Sequence, residues 1–230
     1  MTARRASGAA GVLLAALAGC ASPDAASPTP GVVVATAEDS FPTTTAVDWV
    51  TYADHVLVAT VVDEAEAVRP WEDGNPEGER YVAREVALRV DDRLWSAADP
   101  RHRPPPDRFS MAAAGSLDRD GGRIPWAIED TPRMEVGHTY VVALVWRPEV
   151  EDPTTPTPAH WAWLGTDALL PYDDGTIGVG ELEGVVRAEP RVVPEDHLEH
   201  SFEDALAGRS AADLAALLDA ARPVEREAYG

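Results

Sequence analysis

Cys20 is the only cysteine in the 230 residues of this chain. A single thiol cannot form a disulfide within the chain, so burial of apolar side chains has to stabilise the folded part. About 210 residues follow Cys20, which is enough for one sizeable domain with its own core. The fold must therefore come from hydrophobic patterning alone.

A short apolar segment leads directly into the cysteine. Arg4 and Arg5 precede it, 9–18 carries no charge, and Leu17-Ala18-Gly19 ends at Cys20. The segment spans about ten residues, half of what a membrane-crossing helix needs. This order resembles the signal peptide and lipobox of a bacterial lipoprotein. The resemblance implies cleavage before Cys20, lipid on its thiol, and a membrane-anchored protein on the extracytoplasmic face of the cell membrane.

The resemblance divides the N-terminal part into two segments. Residues 1–19 are expected to form the signal peptide, and residues 20–38 the lipidated cysteine with a flexible tether. Ala21–Pro30 is small and Pro-rich, a composition that cannot bury a core and is typical of linkers. Acylation of Cys20 would leave no thiol for catalysis or for metal binding.

The chain is strongly acidic, with 40 Asp and Glu against 19 basic residues and a net charge of −21. Every basic residue is arginine, which is typical of GC-rich coding such as that of actinobacteria. Nucleic-acid binding needs clustered positive charge, so the composition excludes it. The acids are spread along the chain, which favours a solvated surface over a site for cations.

Apolar runs separated by Gly- and Pro-rich stretches predict a mainly β domain over residues 39–180. A short helix or turn is expected near 41–52, ahead of the first strand. The clearest strand is His138–Trp146, which reads HTYVVALVW. The five expected strands begin at His55, Arg80, Arg108, His138 and His160.

Residues 181–230 are predicted to form a helical appendage. Ser201 and Ser210 each begin a sequence that suits a helix N-terminus, and Gly208 lies between the two segments. We expect two short C-terminal helices that pack on the β domain. The predicted apolar stripe of the second helix consists of Leu214, Leu217, Leu218 and Ala221.

Two segments resemble netrin-like and metalloproteinase-inhibitor-like OB domains of secreted proteins. They are 53–61, reading ADHVLVATV, and 134–144, reading MEVGHTYVVAL. The resemblance covers about Asp48 to Tyr172 and implies an OB-like, five-stranded barrel. The chain departs from those domains because it lacks disulfides. A lipidated Cys20 also could not ligate zinc as a free N-terminal cysteine does.

No motif for catalysis or for a cofactor stands out. No serine lies in a Gly-x-Ser-x-Gly sequence, and no phosphate-binding glycine loop is present. Asp118, Asp120 and Glu129 match only part of a calcium loop, so a hairpin turn is favoured there. His197 and His200 lack the spacing of a metalloprotease motif. Surface or strand-edge packing is expected for His55, His102, His138 and His160.

Seven tryptophans leave one functional hypothesis open. Trp146, Trp161 and Trp163 are close in sequence, and the last two share a face if 159–164 is a strand. They could form a stacking platform for sugar rings, although core packing is favoured. The sequence thus predicts a non-enzymatic lipoprotein without a cofactor, acting as a binding or structural module. Envelope glycan binding is the first alternative, a partner protein is open, and an unrecognised enzyme site is the second alternative.

Overall fold

The computed structural model describes residues 31–67, 80–119, 122–151, 156–190 and 202–226. The predicted signal peptide, Cys20 and the pair His197 and His200 lie outside these ranges. None of the helices within the described ranges has the length and apolar character needed to cross a membrane.

The protein is mainly β, as predicted. The strands of the described ranges are β1 (Val33–Ala35), β2 (His55–Ala67), β3 (Arg80–Ser96), β4 (Arg108–Arg119), β5 (Gly122–Ile128), β6 (Thr139–Arg147), β7 (His160–Trp163), β8 (Leu169–Pro171), β9 (Gly180–Leu182) and β10 (Val185–Arg187). Eight of them form one sheet in the order β1-β5-β4-β3-β2-β6-β7, with β8 also paired to β6. A separate hairpin joins β9 to β10.

The sheet is an open, curled half-barrel, so the prediction of a closed five-stranded OB-like barrel is wrong. β1 adds to β5 in parallel, and β7 adds to the far side of β6. Within the described ranges these two edge strands do not pair with each other. Register shifts in the β2–β3 ladder, such as that between Val61 and Asp63, bend the sheet. The curl brings β7 near β4 without closing the ladder.

Strand β6 is buried on both faces, which explains its continuous apolar sequence. Val141, Ala143 and Val145 lie in a core cluster beneath the helices. Tyr140, Val142 and Leu144 lie in a second cluster on the concave side of the sheet. Each fully buried side chain of this size contributes about 1.5–3 kcal/mol relative to exposure. β6 is therefore the central strand of the fold.

The predicted fifth strand is divided into two. β7 pairs with the end of β6 and β8 with its beginning, and a 3-10 turn over Thr166–Ala168 separates them. The division occurs at Gly165, where an added Cβ would lie 2.6 Å from Asp39 and Thr43 side-chain atoms. The close approach of residues far apart in sequence thus interrupts a strand that local pattern predicts as continuous.

The helices agree with the predicted positions. They are α1 (Ala46–Tyr52), α2 (Phe202–Leu206) and α3 (Ala211–Ala220). Thr45 caps α1 by accepting a hydrogen bond from the Asp48 N–H, and Ser210 forms a capping box with Asp213. Leu214 and Leu218 pack into the core, but Leu217, which was placed on the same stripe, is exposed.

Two predicted boundaries differ from the structure. β1 lies inside the range 20–38 that was expected to be a tether, so the folded part begins before residue 39. β10 and most of β9 lie in the range 181–230 that is predicted to be helical. β1 is placed in β structure by pairing with the distant strand β5, whereas β9 and β10 pair with each other across a short turn.

Candidate functional site

The open edge of the half-barrel contains a cleft of about 260 Å³, which we call the seam cleft. Trp161 and Trp163 of β7 form one side of it. Ala112 of β4 and Ile128 of β5 form the other side, and the segment 37–40 after β1 completes the wall. The cleft exists because the sheet curls without closing.

Asp39 holds the wall of the seam cleft in place. Its two carboxylate oxygens accept hydrogen bonds from the backbone N–H of Thr166, both at 2.9 Å. The Thr166 hydroxyl donates at 2.8 Å and the Thr43 hydroxyl at 3.1 Å. Asp167 lies behind them, and its pKa is raised first by burial and then by the charge of Asp39. The segment after β1 is thus tied to the turn after β7.

Trp163 is the half-buried aromatic side chain of this cleft. Polar side chains of Arg147, His160 and Ser40 line the cleft with it. The Arg147 guanidinium lies 4.6 Å from the centre of the Phe41 ring. Burial, followed by the neighbouring charge of Arg101, lowers the pKa of Arg147. The cleft combines an aromatic surface with several hydrogen-bonding groups.

The other two tryptophans of the predicted platform pack inside an aromatic cluster. Trp146 stacks on His102, with ring centres 4.0 Å apart and an interplanar angle of 17°. Trp161 meets Trp146 at 5.0 Å and His55 at 5.5 Å, both edge to face, and is buried. Trp161 and Trp163 do share the concave side of the sheet. The structure therefore brings the three residues together, but packing occupies much of Trp146 and Trp161.

His55 is fully buried at the start of β2, which corrects the prediction of surface or strand-edge packing. Its Nδ1 lies 2.9 Å from the Ser96 hydroxyl, and its Nε2 lies 2.9 Å from the carbonyl oxygen of His102. Burial lowers the pKa of His55. His55 is thus a buried imidazole with a partner on each nitrogen.

The remaining polar candidates take part in local contacts. Nδ1 of His138 lies 2.5 Å from Asp173, which also accepts the N–H of Thr139. Asp118 pairs with Arg123 and Arg80, which lower its pKa, in the predicted β4–β5 hairpin. Within the described ranges, no cluster of His, Cys, Asp and Glu has the arrangement of a metal site.

No sequence pattern predicts the buried carboxylate of Glu181, which lies near the start of β6. Glu181 of β9 accepts hydrogen bonds from the Arg133 and Met134 N–H groups, each at 2.9 Å. The Tyr140 hydroxyl donates at 2.8 Å and the Gly184 N–H at 2.5 Å. Burial, followed by the charge of Glu181, raises the pKa of Tyr140. This network joins the β9 hairpin to the main sheet.

No known protein family, curated protein or solved structure matches the chain. The seam cleft and the aromatic cluster therefore have to be interpreted from their own chemistry.

The alternation of Trp161 and Trp163 was the one sequence signal that pointed to the seam cleft. Arg147 follows the clearest strand, but nothing nearby indicated that its side chain would line a cleft. Asp39 contacts Thr166 across 127 positions of sequence. Contacts at such separations depend on how the sheet curls, so local pattern does not reveal them.

Proposed function

We propose that this protein is a lipid-anchored, extracytoplasmic binding protein that holds a sugar unit of an envelope glycan in the seam cleft. One observation carries the choice of ligand: Trp163 lies half-buried beside Arg147 and His160 in a cleft at the open edge of the sheet. A pyranose ring has an apolar C–H face that stacks on an aromatic ring and hydroxyls that hydrogen-bond at its rim. The seam cleft offers both kinds of partner.

The size and charge of the seam cleft restrict the kinds of ligand that it can bind. Its volume of about 260 Å³ lies just below the range of roughly 300–1,000 Å³ typical of drug-sized ligands. This size suits one sugar ring rather than an extended chain. Glu38 and Asp39 contribute to the lining, and the chain carries a net charge of −21. Such a field disfavours anions, so a neutral sugar is the expected ligand.

Two features support the proposed membrane anchor: the sequence of residues 17–20, which resembles a lipobox, and the negative charge of the chain. The acidic protein has no electrostatic attraction to anionic lipid head groups. A lipid on Cys20 with two or more acyl chains would hold the protein durably at the membrane.

Replacement of the lipidated residue tests the anchor. Cys20→Ser should move the protein from the membrane fraction to the soluble extracytoplasmic fraction and remove a lipid-sized mass increment. Ser22→Ala, two positions away, should leave both properties unchanged. Unchanged fractionation of Cys20→Ser would contradict the anchor.

Truncation of one ring tests the ligand site. A panel of neutral hexoses, N-acetylated hexosamines and uronic acids can be titrated while tryptophan fluorescence is recorded. Trp163→Ala should weaken binding of the best sugar by about tenfold or more, which corresponds to about 1.4 kcal/mol. Trp126→Ala removes a half-buried tryptophan that contacts Tyr81 outside the cleft, and it should bind normally. Absence of sugar binding, or equal binding by Trp163→Ala, would refute the glycan proposal.

A further inference from the structure

Ser96 and His55 lie opposite each other where β3 ends and β2 begins. They are register partners in the antiparallel ladder, so their side chains leave the same face of the sheet. The Ser96 hydroxyl is 2.9 Å from Nδ1 of His55. Ser96 is exposed, whereas His55 is fully buried. An accessible hydroxyl is therefore bonded to an imidazole that is shielded from water.

The hydrogen bonds determine which nitrogen of His55 carries the proton. A carbonyl oxygen only accepts, so Nε2 must donate its proton to the His102 carbonyl, 2.9 Å away. In the neutral ring, Nδ1 is then the unprotonated nitrogen. The Ser96 hydroxyl must therefore donate to Nδ1. This is the arrangement in which an imidazole acts as a base toward a serine.

We propose that Ser96 and His55 are a nucleophile and general base that cleave carboxylic esters through an acyl-serine. This activity goes beyond the proposed function and does not depend on it, because neither Ser96 nor His55 lines the seam cleft. A nucleophile within 2.6–3.2 Å of a base, with the base oriented by a third group, is the common geometry of such pairs. The His102 carbonyl is the third group here.

The surroundings of His55 support its role as a base. The charged and titratable groups that face it are Asp54, which directly precedes β2, Arg93 of β3, and His102 in the loop after β3. Burial has the largest effect and lowers the pKa of His55, so the ring is neutral at neutral pH. Asp54 is fully buried next to it, and its negative charge would stabilise the imidazolium that forms during attack.

A cleft of about 470 Å³ lies beside the end of β3, with Ser96 in its lining. Its apolar members Val50, Trp95 and Leu218 belong to the core cluster beneath the helices or pack against it, on the face of the sheet opposite His55. The Ser96 hydroxyl, which bonds His55, therefore does not point into this cleft, and the cleft does not select the acyl group. Because Ser96 is exposed, the expected substrate is a small carboxylic ester that reaches the strand end from solvent.

The reaction has two balanced steps. Ser96 Oγ attacks the ester carbonyl carbon while His55 Nδ1 takes the hydroxyl proton, and the bond from that carbon to the alkoxy oxygen breaks. His55 gives the proton to the departing alkoxide, so an alcohol leaves and an acyl-serine remains. A water molecule then attacks the acyl carbon while His55 Nδ1 takes a proton from that water. The bond between the acyl carbon and Ser96 Oγ breaks as His55 returns the proton to Oγ, and the carboxylic acid is released.

A fluorophosphonate probe tests the nucleophile in the full chain, purified in detergent. Ser96 Oγ would form a bond to phosphorus as fluoride leaves, and peptide mass spectrometry would locate the adduct. The native chain should be labelled at Ser96 and not at Ser110, an exposed serine on β4. Ser96→Ala should lose the label and the hydrolysis of nitrophenyl acetate. Absence of an adduct at Ser96, or equal rates at Ser96 and Ser110, would overturn the proposal.

The pH profile distinguishes a base from a merely structural contact. Labelling of the native chain should rise to a plateau through an inflection below pH 6.5, because the neutral form of His55 is the base and its pKa is lowered. His55→Gln should lower the rate by about 100-fold or more. His102→Ala keeps the backbone carbonyl, so it should retain the inflection. A rate that rises with hydroxide concentration without an inflection below pH 6.5 would refute the role of His55, even if His55→Gln failed to fold.

Discussion

The two ends of β6 satisfy their polar groups in different ways. At the beginning, Tyr140 donates to Glu181, and that carboxylate also accepts three backbone N–H groups. At the end, Trp146 stacks on His102 and meets Trp161 edge to face, and Arg147 reaches the seam cleft. One end is a closed network of buried polar groups, and the other combines a packed aromatic cluster with the seam cleft.

The beginning of β6 therefore contributes to stability, whereas its end is available for recognition. The Glu181 network has four donors directed at one carboxylate, an arrangement that fixes the β9 hairpin and leaves that carboxylate no room for a ligand. The end near Arg147 presents aromatic and polar side chains to open space. Substitutions at the beginning of β6 should therefore change stability most, and substitutions at the seam cleft should change binding most.

The largest expected effect is at Glu181. Glu181→Leu would leave the Tyr140 hydroxyl and the Arg133 and Met134 N–H groups buried without an acceptor. We expect the free energy of unfolding to fall by about 3–5 kcal/mol, measured by urea denaturation. Glu189→Leu, at an exposed position, should change it by less than about 0.5 kcal/mol. Equal stability of the two variants would contradict the structural role of this network.

Trp161 should have the next largest effect, because it supports the aromatic cluster from within. Trp161→Ala removes a buried ring that contacts His55, His102 and Trp146. A loss of about 3 kcal/mol is expected from the cavity and the lost burial. Thermal and urea unfolding would measure it, and a loss below about 1 kcal/mol would mean that the ring is not part of the core.

Alkaline pH should weaken the beginning of β6. The pKa of Tyr140 is raised above its ordinary value of 10 in the folded protein. The contribution of Tyr140 to the free energy of unfolding is complete below pH 10. It is lost as the pH rises toward the pKa of Tyr140 in the folded protein, because the phenol of the unfolded chain ionises first. Stability should fall by at most about 1.4 kcal/mol per pH unit above pH 10 from this group. Tyr140→Phe should flatten that part of the curve, and an unchanged slope would refute the assignment.

The smallest effect on stability is expected at Trp163. Its ring is half-buried at the seam cleft, so Trp163→Ala should cost about 1 kcal/mol of unfolding free energy. The same substitution is the one expected to weaken sugar binding. A loss comparable to that of Trp161→Ala would show that both rings serve the core, and the contrast between the two ends of β6 would then be weaker.

Local pattern was sufficient for most of the strands. Val56–Val61 and Val141–Val145 are dense in β-branched and apolar residues, and the structure places both in long strands. The caps at Thr45 and Ser210 act through neighbours three positions away, so their effect is readable along the chain. The alternation of Trp161 and Trp163 placed both rings on one side of the sheet.

Contacts between residues that are far apart in sequence could not be predicted from local pattern. The resemblance to OB domains implied a closed barrel, but closure depends on which edges meet after the sheet bends. Asp39 and Thr166 meet across 127 positions, and His55 and Ser96 across 41. The strand β1 forms only because β5 offers it a free edge.

The sequence by itself determined that this protein is mainly β with two C-terminal helices and no disulfide within the chain, because strands, caps and cysteine count depend on neighbouring residues or on composition. Only the tertiary structure decided that the sheet stays open, that Trp161 packs while Trp163 lines a cleft, and that the Ser96 hydroxyl lies within hydrogen-bond distance of His55. These features depend on the curl of one sheet. The curl is a collective result of bulges and edge pairing that no single segment encodes.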